Sequence, residues 1–355
     1  MELGVQRREK AMLIGIFWAL MAGCMLGLYA LPVKYTRDFK FENTWGLFFV
    51  LMMFIIPLAA TFALIGNLGK VFSQVDGWRL IAMIALSFLW GIGMMMWGKA
   101  INHIGVSLAF SLFIGTVIIV GSLLPLIVDG IPRISAFGTL LFGILTIVAG
   151  IVFNCKAGLI RERDQSKADG TLRRVAIGTE SKTMAAGIVI AVVGGILAGG
   201  FSFADAVGQP QIQEACQSLG KPGWAVAIAV MFPIFLSGGV VTTLYFAWQL
   251  KQKEAWKAFR TPYFGRNLIL ISIMAFLQYA ASAAFAFSAF KLGTFGNTVG
   301  YAIYNTTSVL VAVIGGIVAK EWVKTSSKAR GYLYGGLSCM ILGVLLITVG
   351  NALAP

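Results

Sequence analysis

Charged residues, histidine and cysteine are all scarce in this chain of 355 residues. Only 12% of the residues are charged and 58% are hydrophobic, whereas soluble domains carry roughly 25% charged residues. A soluble protein of this composition would have too little polar surface to cover itself, but lipid can solvate apolar helix faces. We therefore expect a membrane protein and not a soluble globular one.

One histidine and four cysteines limit the metal-binding and catalytic chemistry that is open to the chain. A single histidine leaves no basis for a histidine-based metal site or catalytic triad. The four cysteines form no CxxC motif, and three of them lie in or at the ends of apolar segments. We interpret them as small apolar packing residues. They are Cys24, Cys155, Cys216 and Cys339.

Motifs of enzymes and of ATP-driven pumps are also missing. The sequence contains no HExxH, GxSxG or Walker-type motif. Its acidic residues lie almost entirely in loops or at the ends of apolar segments, where they do not form a set of positioned acids and bases. We therefore expect no catalytic residue, no metal and no cofactor, so any transport is passive or driven by an ion gradient such as that of protons.

Long apolar segments are what the sequence has in abundance. About 20 apolar residues cross the hydrocarbon core of a bilayer, and lipid forces such a segment to be helical. The chain contains ten of them, which predicts an all-α, polytopic membrane protein. The predicted spans are 12–33, 45–66, 79–100, 105–128, 134–155, 184–205, 224–249, 267–290, 296–319 and 331–352.

The distribution of lysine and arginine predicts the orientation. The net charge of +14 does not indicate nucleic acid as a partner, because the charges fall in short runs between spans. Eight basic residues lie on the side of the N-terminus and 20 lie on the other side. Cytoplasmic loops carry the excess of Lys and Arg, so we expect both termini in the periplasm and the long polar segment 156–183 in the cytoplasm.

The two halves of the chain resemble each other. Small residues recur in span one at Gly15, Ala19, Gly23 and Gly27, and again 172 residues later in span six. Chance is the alternative, since glycine is common here. Two homologous halves of five spans each must insert with opposite orientations, as in many secondary transporters. We expect a first five-helix repeat (1–155), a basic cytoplasmic loop (156–183) and a second repeat (184–355).

Asp205 is the candidate proton-coupling residue. It lies at the end of the sixth predicted span, followed by the polar segment 206–223, which we expect to connect two spans and to include a short surface helix. Ionisable groups inside spans are costly and usually functional, and a partly desolvated carboxyl at a helix end can bind a proton reversibly. An interfacial aspartate in contact with water is the alternative.

Two segments have the composition of a sugar-binding site. Trp90 and Trp97 lie seven residues apart, hence on one helix face, and an indole can stack on the apolar face of a sugar ring. The alternative for them is a belt at the lipid interface. A polar stripe on span nine lines an aqueous site or bonds to neighbouring helices, and Gln278, with Tyr279 and Ser282, could face the same space. The stripe consists of Asn297, Tyr301, Tyr304, Asn305 and Ser308.

Several short motifs occur in an order and spacing that resembles a known family. They are Gly15-Ile-Phe-Trp18, Trp90-Gly-Ile-Gly93, Ile104-Gly-Val-Ser107, Gly121-Ser-Leu-Leu-Pro125, Gly150-Ile-Val152, Ala157-Gly158, Arg161-Glu-Arg163, Ser202-Phe-Ala204 with Pro210 and Glu214, and Lys320-Glu-Trp322. With these motifs the chain resembles, over nearly its whole length, the bacterial L-rhamnose–proton symporter family of the drug/metabolite transporter superfamily.

The resemblance implies ten helices in an inverted repeat and proton-coupled sugar uptake across the bacterial inner membrane. It implies no residue-level site. The stretch from Ala204 to Pro210 and the span-nine stripe differ from the residue types usual in the family, so the substrate is L-rhamnose, a related monosaccharide or another metabolite. A drug or metabolite exporter and a non-transporting receptor are the other hypotheses. The sequence does not indicate an oligomeric state.

Overall fold

The computed structural model describes residues 2–168, 181–318, 322–323 and 325–353. Within these ranges the chain is helical and contains no strand. The α-helices are α1 (Glu2–Leu28), α2 (Phe41–Val50), α3 (Ile56–Leu64), α4 (Leu68–Phe72), α5 (Gly77–Ile104), α6 (Val106–Leu123), α7 (Leu126–Asp129), α8 (Ile134–Ala168), α9 (Ser181–Ala198), α10 (Gly200–Ser218), α11 (Gly223–Gln252), α12 (Phe264–Leu292), α13 (Gly296–Val318) and α14 (Ser327–Leu353). Short 3₁₀ turns cover Leu31–Tyr35 and Ala255–Arg260, and a π-helical turn, Leu51–Ile55, joins α2 to α3.

Ten segments of the described chain are long and apolar enough to cross a membrane, which confirms the predicted number of spans. Large apolar side chains remain exposed on their outer faces, for example Phe62, Ile134 and Val318, where lipid can cover them. The protein is therefore a multi-pass membrane protein. The ten segments are Glu9–Tyr35, Phe41–Leu64, Gly77–Ile101, Leu108–Asp129, Ile134–Arg161, Met184–Ser218, Gly223–Gln252, Phe264–Leu292, Gly296–Val318 and Ser327–Leu353.

The sixth span differs most from its prediction. The segment 206–223, expected to be a connection with a short surface helix, instead continues the span as α10 up to Ser218. Most of its first half is buried, and Pro210 lies inside the helix. The drop in hydropathy after Asp205 marks a helix that is covered by protein and not by lipid, so the expected end of the span at residue 205 was wrong.

The long polar segment 156–183 is also partly helical. Helix α8 continues as far as Ala168, and α9 begins at Ser181. The intervening residues 169–180 lie outside the described residues. Lys320 and Glu321 of the last family motif lie outside them as well.

The connections between spans alternate between two sides of the bundle. The side where α1 begins, here called the N-terminal side, also holds segments 65–76 and 219–222, where Ser218 Oγ donates to Gln74 Oε1 at 2.9 Å. The opposite side, here called the distal side, holds 29–40 and 253–263. There, Asn43 Nδ2 donates to the carbonyl of Ala255 at 2.9 Å and Asn267 Nδ2 donates to that of Arg37 at 2.7 Å.

Glycines determine how closely the helices of the two halves pack. Added Cβ atoms at Gly15 and Gly23 of α1 would meet Leu292 of α12 and Thr307 of α13. Those at Gly187 and Gly195 of α9 would meet His103 and Ile104 of α5 and Thr116 of α6. The repeated small residues are therefore contact points between halves, in keeping with the tight packing that small residues permit in membranes.

Candidate functional site

A central cavity of about 290 Å³ lies between the two halves of the bundle. It is bordered by α1, α5, α6, α9, α10, α12 and α13, and no Asp, Glu, Lys or Arg of the described chain lines it. The wall combines apolar surface with hydroxyl, amide and indole groups. These polar groups belong to Tyr29, Trp90, Trp97, Gln278, Ser282, Tyr301, Tyr304, Asn305 and Ser308.

Four of the five stripe residues on α13 line this cavity. Tyr301, Tyr304, Asn305 and Ser308 recur at helical spacing and so occupy one face. Asn305 Nδ2 donates to the carbonyl of Tyr301 at 3.0 Å, and Ser308 Oγ donates to that of Asn305 at 2.7 Å. These two bonds hold the Asn305 amide and the Ser308 hydroxyl against their own helix, and both side chains still line the cavity.

Asn297, the fifth stripe residue, does not line the cavity. It is 4% exposed and lies one turn before Tyr301 toward the N-terminal side, where its Nδ2 is 3.5 Å from Gln209 Oε1 of α10. Gln209 Nε2 in turn donates to the carbonyl of Ala286 at 3.1 Å. The structure therefore places Asn297 in a contact between helices α10, α12 and α13.

Both tryptophans border the cavity and do not form a lipid-interface belt. The Trp90 ring packs against Phe201 with centroids 5.0 Å apart, and Trp97 stacks on Phe113 at 6.0 Å. Trp97 Nε1 and Gln278 Oε1 are buried without a hydrogen-bond partner in the described part of the chain. Such orphaned groups are costly unless a ligand or water satisfies them, so one donor and one acceptor remain free at the cavity wall for a solute to pair with.

Asp205 lies one helical turn beyond Phe201, a residue of the cavity wall, on the way to the N-terminal side. It is 0% exposed, which removes the alternative of an interfacial aspartate in contact with water. Neither carboxylate oxygen has a hydrogen-bond partner among the described residues. A bare charge at such a position is costly, so the protonation state of Asp205 must depend on what surrounds it.

Two other charged residues belong to elements that pack against α10. One is Asp129, the last residue of α7. Arg79 of α5 donates from Nη1 to the carbonyl of Val207 at 2.9 Å, two residues along α10 from Asp205. No local pattern could group these residues, since 76 and 126 residues separate Asp129 and Arg79 from Asp205.

The N-terminal side of the cavity is closed by direct helix contacts. Ser202 Oγ donates to the carbonyl of Gly121, and an added Cβ at Gly121 would collide with the Tyr301 ring. Nearer the surface, Ser288 Oγ donates to the carbonyl of Gly15 at 2.7 Å. Backbone and small side chains thus fill the space between α1, α6, α10 and α12 on this side.

A second cavity of about 480 Å³, here called the vestibule, adjoins the central cavity toward the distal side. The two share the side chains of Tyr29, Trp90, Met94, Trp97 and Gln278. Glu42 and Lys253 also line the vestibule and form an ion pair between α2 and the end of α11. This pair is separated by 211 residues in sequence, so no local pattern could have indicated it.

The sequence of this chain is similar to those of known transport proteins. A family model described as "L-rhamnose-proton symport protein" matches residues 8–354. The chain belongs to this family. Relatives named "L-rhamnose-proton symporter" come from Escherichia coli (strain 55989 / EAEC), Escherichia coli O8 (strain IAI1) and Shigella boydii serotype 18 (strain CDC 3083-94 / BS512). Each is 24% identical over 354 residues, which cover 97% of this chain and 99% of the relative.

Membership of the L-rhamnose-proton symport family confirms the resemblance inferred from the short motifs. The family and its named relatives are transporters and not enzymes. The match extends over both halves of the chain and includes every residue that lines the central cavity.

Proposed function

We propose that this protein is a proton-coupled sugar symporter that carries L-rhamnose or a related monosaccharide. The observation that carries this proposal is the central cavity, in which amides, hydroxyls and indoles surround a space free of charged side chains among the described residues. The names of its family and relatives support the same substrate class.

The chemistry of the cavity favours a small neutral solute. Its volume of about 290 Å³ is just below the roughly 300–1,000 Å³ typical of ligand pockets, which suits one monosaccharide. A cationic drug or an anionic metabolite would lose its hydration without gaining a countercharge from the described wall. A sugar instead needs hydrogen-bond partners for hydroxyls and a flat apolar surface, and the wall offers both.

Asp205 is the residue that we propose as the proton carrier. It is buried one turn from the cavity wall, and its charge has no hydrogen-bond donor in the described chain. Binding and loss of a proton there must be accompanied by rearrangement of α10 and its neighbours, because the bare carboxylate is costly in this environment. Such a link between proton and conformation is what symport requires.

The direction of opening supports alternating access. The cavity is closed toward the N-terminal side and continues into the vestibule toward the distal side. The excess of Lys and Arg on the distal side supports a cytoplasmic location for it. We propose a protein of the bacterial inner membrane with both termini in the periplasm and with this conformation open to the cytoplasm.

The packing of the helices supports an inverted five-plus-five repeat. Helix α1 packs on α12 and α13, and α9, its counterpart in the second half, packs on α5 and α6. The last spans of the two halves, α8 and α14, pack on each other. These pairings are what a two-fold axis between the halves would generate, and the substrate site of such transporters lies between the repeats.

Uptake of labelled L-rhamnose into vesicles that contain the protein tests the proposal. We expect labelled L-rhamnose to accumulate above its external concentration when the outside is acidic. When a proton ionophore removes the pH gradient, we expect the sugar only to equilibrate. Vesicles without the protein are the control. Uptake that is equal with and without the gradient would contradict proton coupling, and a lack of uptake under both conditions would contradict the substrate.

A further inference from the structure

The vestibule is larger than the central cavity and has its own chemistry. Its volume of about 480 Å³ exceeds the 290 Å³ of the central cavity, so each space can hold a monosaccharide by itself. Because the two share walls, a solute that leaves the central cavity toward the distal side passes through the vestibule. The aromatic side chains of its outer part are Phe41, Trp45, Phe48, Phe49, Tyr245 and Phe246.

The vestibule adds Gln249 and Tyr245 to the polar groups that it shares with the central cavity. Gln249 Nε2 donates to Tyr245 Oη at 3.2 Å, whereas Gln249 Oε1 is buried without a hydrogen-bond partner in the described part of the protein. This oxygen can accept a hydrogen bond from a hydroxyl group of a ligand. At the inner end, Gln278 Oε1 and Trp97 Nε1 add an acceptor and a donor, both also unpartnered among the described residues.

The ion pair of Glu42 and Lys253 marks the outer boundary of the vestibule. The Glu42 side chain is 8% exposed and that of Lys253 is 53% exposed, so the pair stands where the cavity meets water. Since the two charges neutralise each other, the pair offers hydrogen-bonding groups without a net charge. This property suits a neutral solute and disfavours an anion or a cation.

We propose that the vestibule is a second binding site for a neutral sugar, occupied between the central cavity and the water of the distal side. Trp45 and its aromatic neighbours supply the flat apolar surface, and Gln249 supplies a hydroxyl acceptor. The inference rests on the proposed function, because it assigns to the vestibule the same class of substrate as to the central cavity.

Equilibrium dialysis of the purified full-length protein against labelled L-rhamnose tests this inference through the number of bound sugars. We expect two sugars per chain at saturation. Gln249→Leu, which replaces the amide by an apolar group of similar size, is expected to weaken one site about two- to tenfold and to leave the other unchanged. Asn305→Ala, in the wall of the central cavity alone, is expected to weaken the other site.

Matched controls separate a lost contact from a damaged fold. Gln252→Leu makes the same replacement three residues away on α11, at an exposed position outside the vestibule wall, and should leave both sites intact. If Gln249→Leu does not fold, Trp45→Leu tests the same site from α2. Its control is Trp256→Leu, which makes the same replacement at an exposed position.

The outcomes distinguish the inference from the proposed function. One sugar per wild-type chain, weakened by Asn305→Ala and unaffected by Gln249→Leu, would overturn the second site and keep the symporter. If Gln249→Leu weakens both sites equally, the second site is also overturned, because the two cavities would then act as one site. If the wild-type chain binds no L-rhamnose, the proposed substrate fails and the second site fails with it.

Discussion

The two sides of the space between the helices are built differently. Toward the N-terminal side, small residues, backbone carbonyls and amide side chains meet directly, as at Gly121 with Ser202 and Tyr301. Toward the distal side, large aromatic side chains surround two connected cavities, and an ion pair lines the outer one. The closed side excludes water from Asp205, whereas the open side leaves room for a solute.

Under the proposed function, this difference suits separate tasks for the two sides. The contacts of Gly121 with Ser202 and Tyr301 are here called the seal. The seal is stable only while its helices keep their positions, because packed interfaces are bistable and not continuously deformable. The aromatic side already encloses two connected open spaces. Proton binding at Asp205 would therefore act on the seal, and sugar binding would act on the cavities.

The largest expected effect comes from Asp205→Asn, which keeps the shape of the side chain and removes its titratable proton. We expect proton-driven accumulation of L-rhamnose in vesicles to fall to the level of vesicles without protein, at an unchanged protein level. Glu9→Gln makes the same chemical change at an exposed position of α1 and should retain accumulation. Full accumulation by Asp205→Asn would assign coupling to another group.

A smaller effect is expected when the seal itself is overpacked. In Gly121→Ala the new methyl group collides with the Tyr301 ring, and overpacking costs about 1–3 kcal/mol. Gly115→Ala on the same helix is the matched control, because its Cβ meets no atom within 4 Å and both variants share the gain in helix propensity. Melting temperature and L-rhamnose uptake should fall in Gly121→Ala alone, and equal values for the two variants would contradict the seal.

The smallest expected effect concerns one hydrogen bond on the open side. Gln278→Leu removes an acceptor that has no partner among the described residues, so we expect unchanged or raised thermal stability. Loss of one hydrogen bond to the sugar costs about 0.5–1.5 kcal/mol, which corresponds to a two- to tenfold rise in KM for uptake. An unchanged KM would remove Gln278 from the binding site.

Sequence patterns predicted the parts of this arrangement that depend on local spacing. The ten spans follow from the length of the apolar segments, and most of the α13 stripe lines one cavity because residues at helical spacing share a face. Asn297 has the same spacing and yet lies outside the cavity. A helix face continues past the end of a cavity, and only the neighbouring helices determine where that end is.

The position of Asp205 shows why hydropathy was not sufficient. Polar residues after position 204 and Pro210 resemble the end of a span, but α10 is covered by other helices and continues to Ser218. Hydropathy measures what lipid can cover, so it underestimates a span whose far end is enclosed by protein. Contacts such as Glu42 with Lys253 join distant parts of the chain and have no local signal at all.

Proton movement that accompanies sugar movement tests the central claim most directly. L-rhamnose is added outside lightly buffered vesicles that contain the wild-type protein and have no initial pH gradient, and the external pH is recorded. We predict that the external pH rises as labelled sugar enters, and that D-glucitol added at the same osmolarity leaves it unchanged. Entry of labelled L-rhamnose without any change in external pH would contradict proton symport.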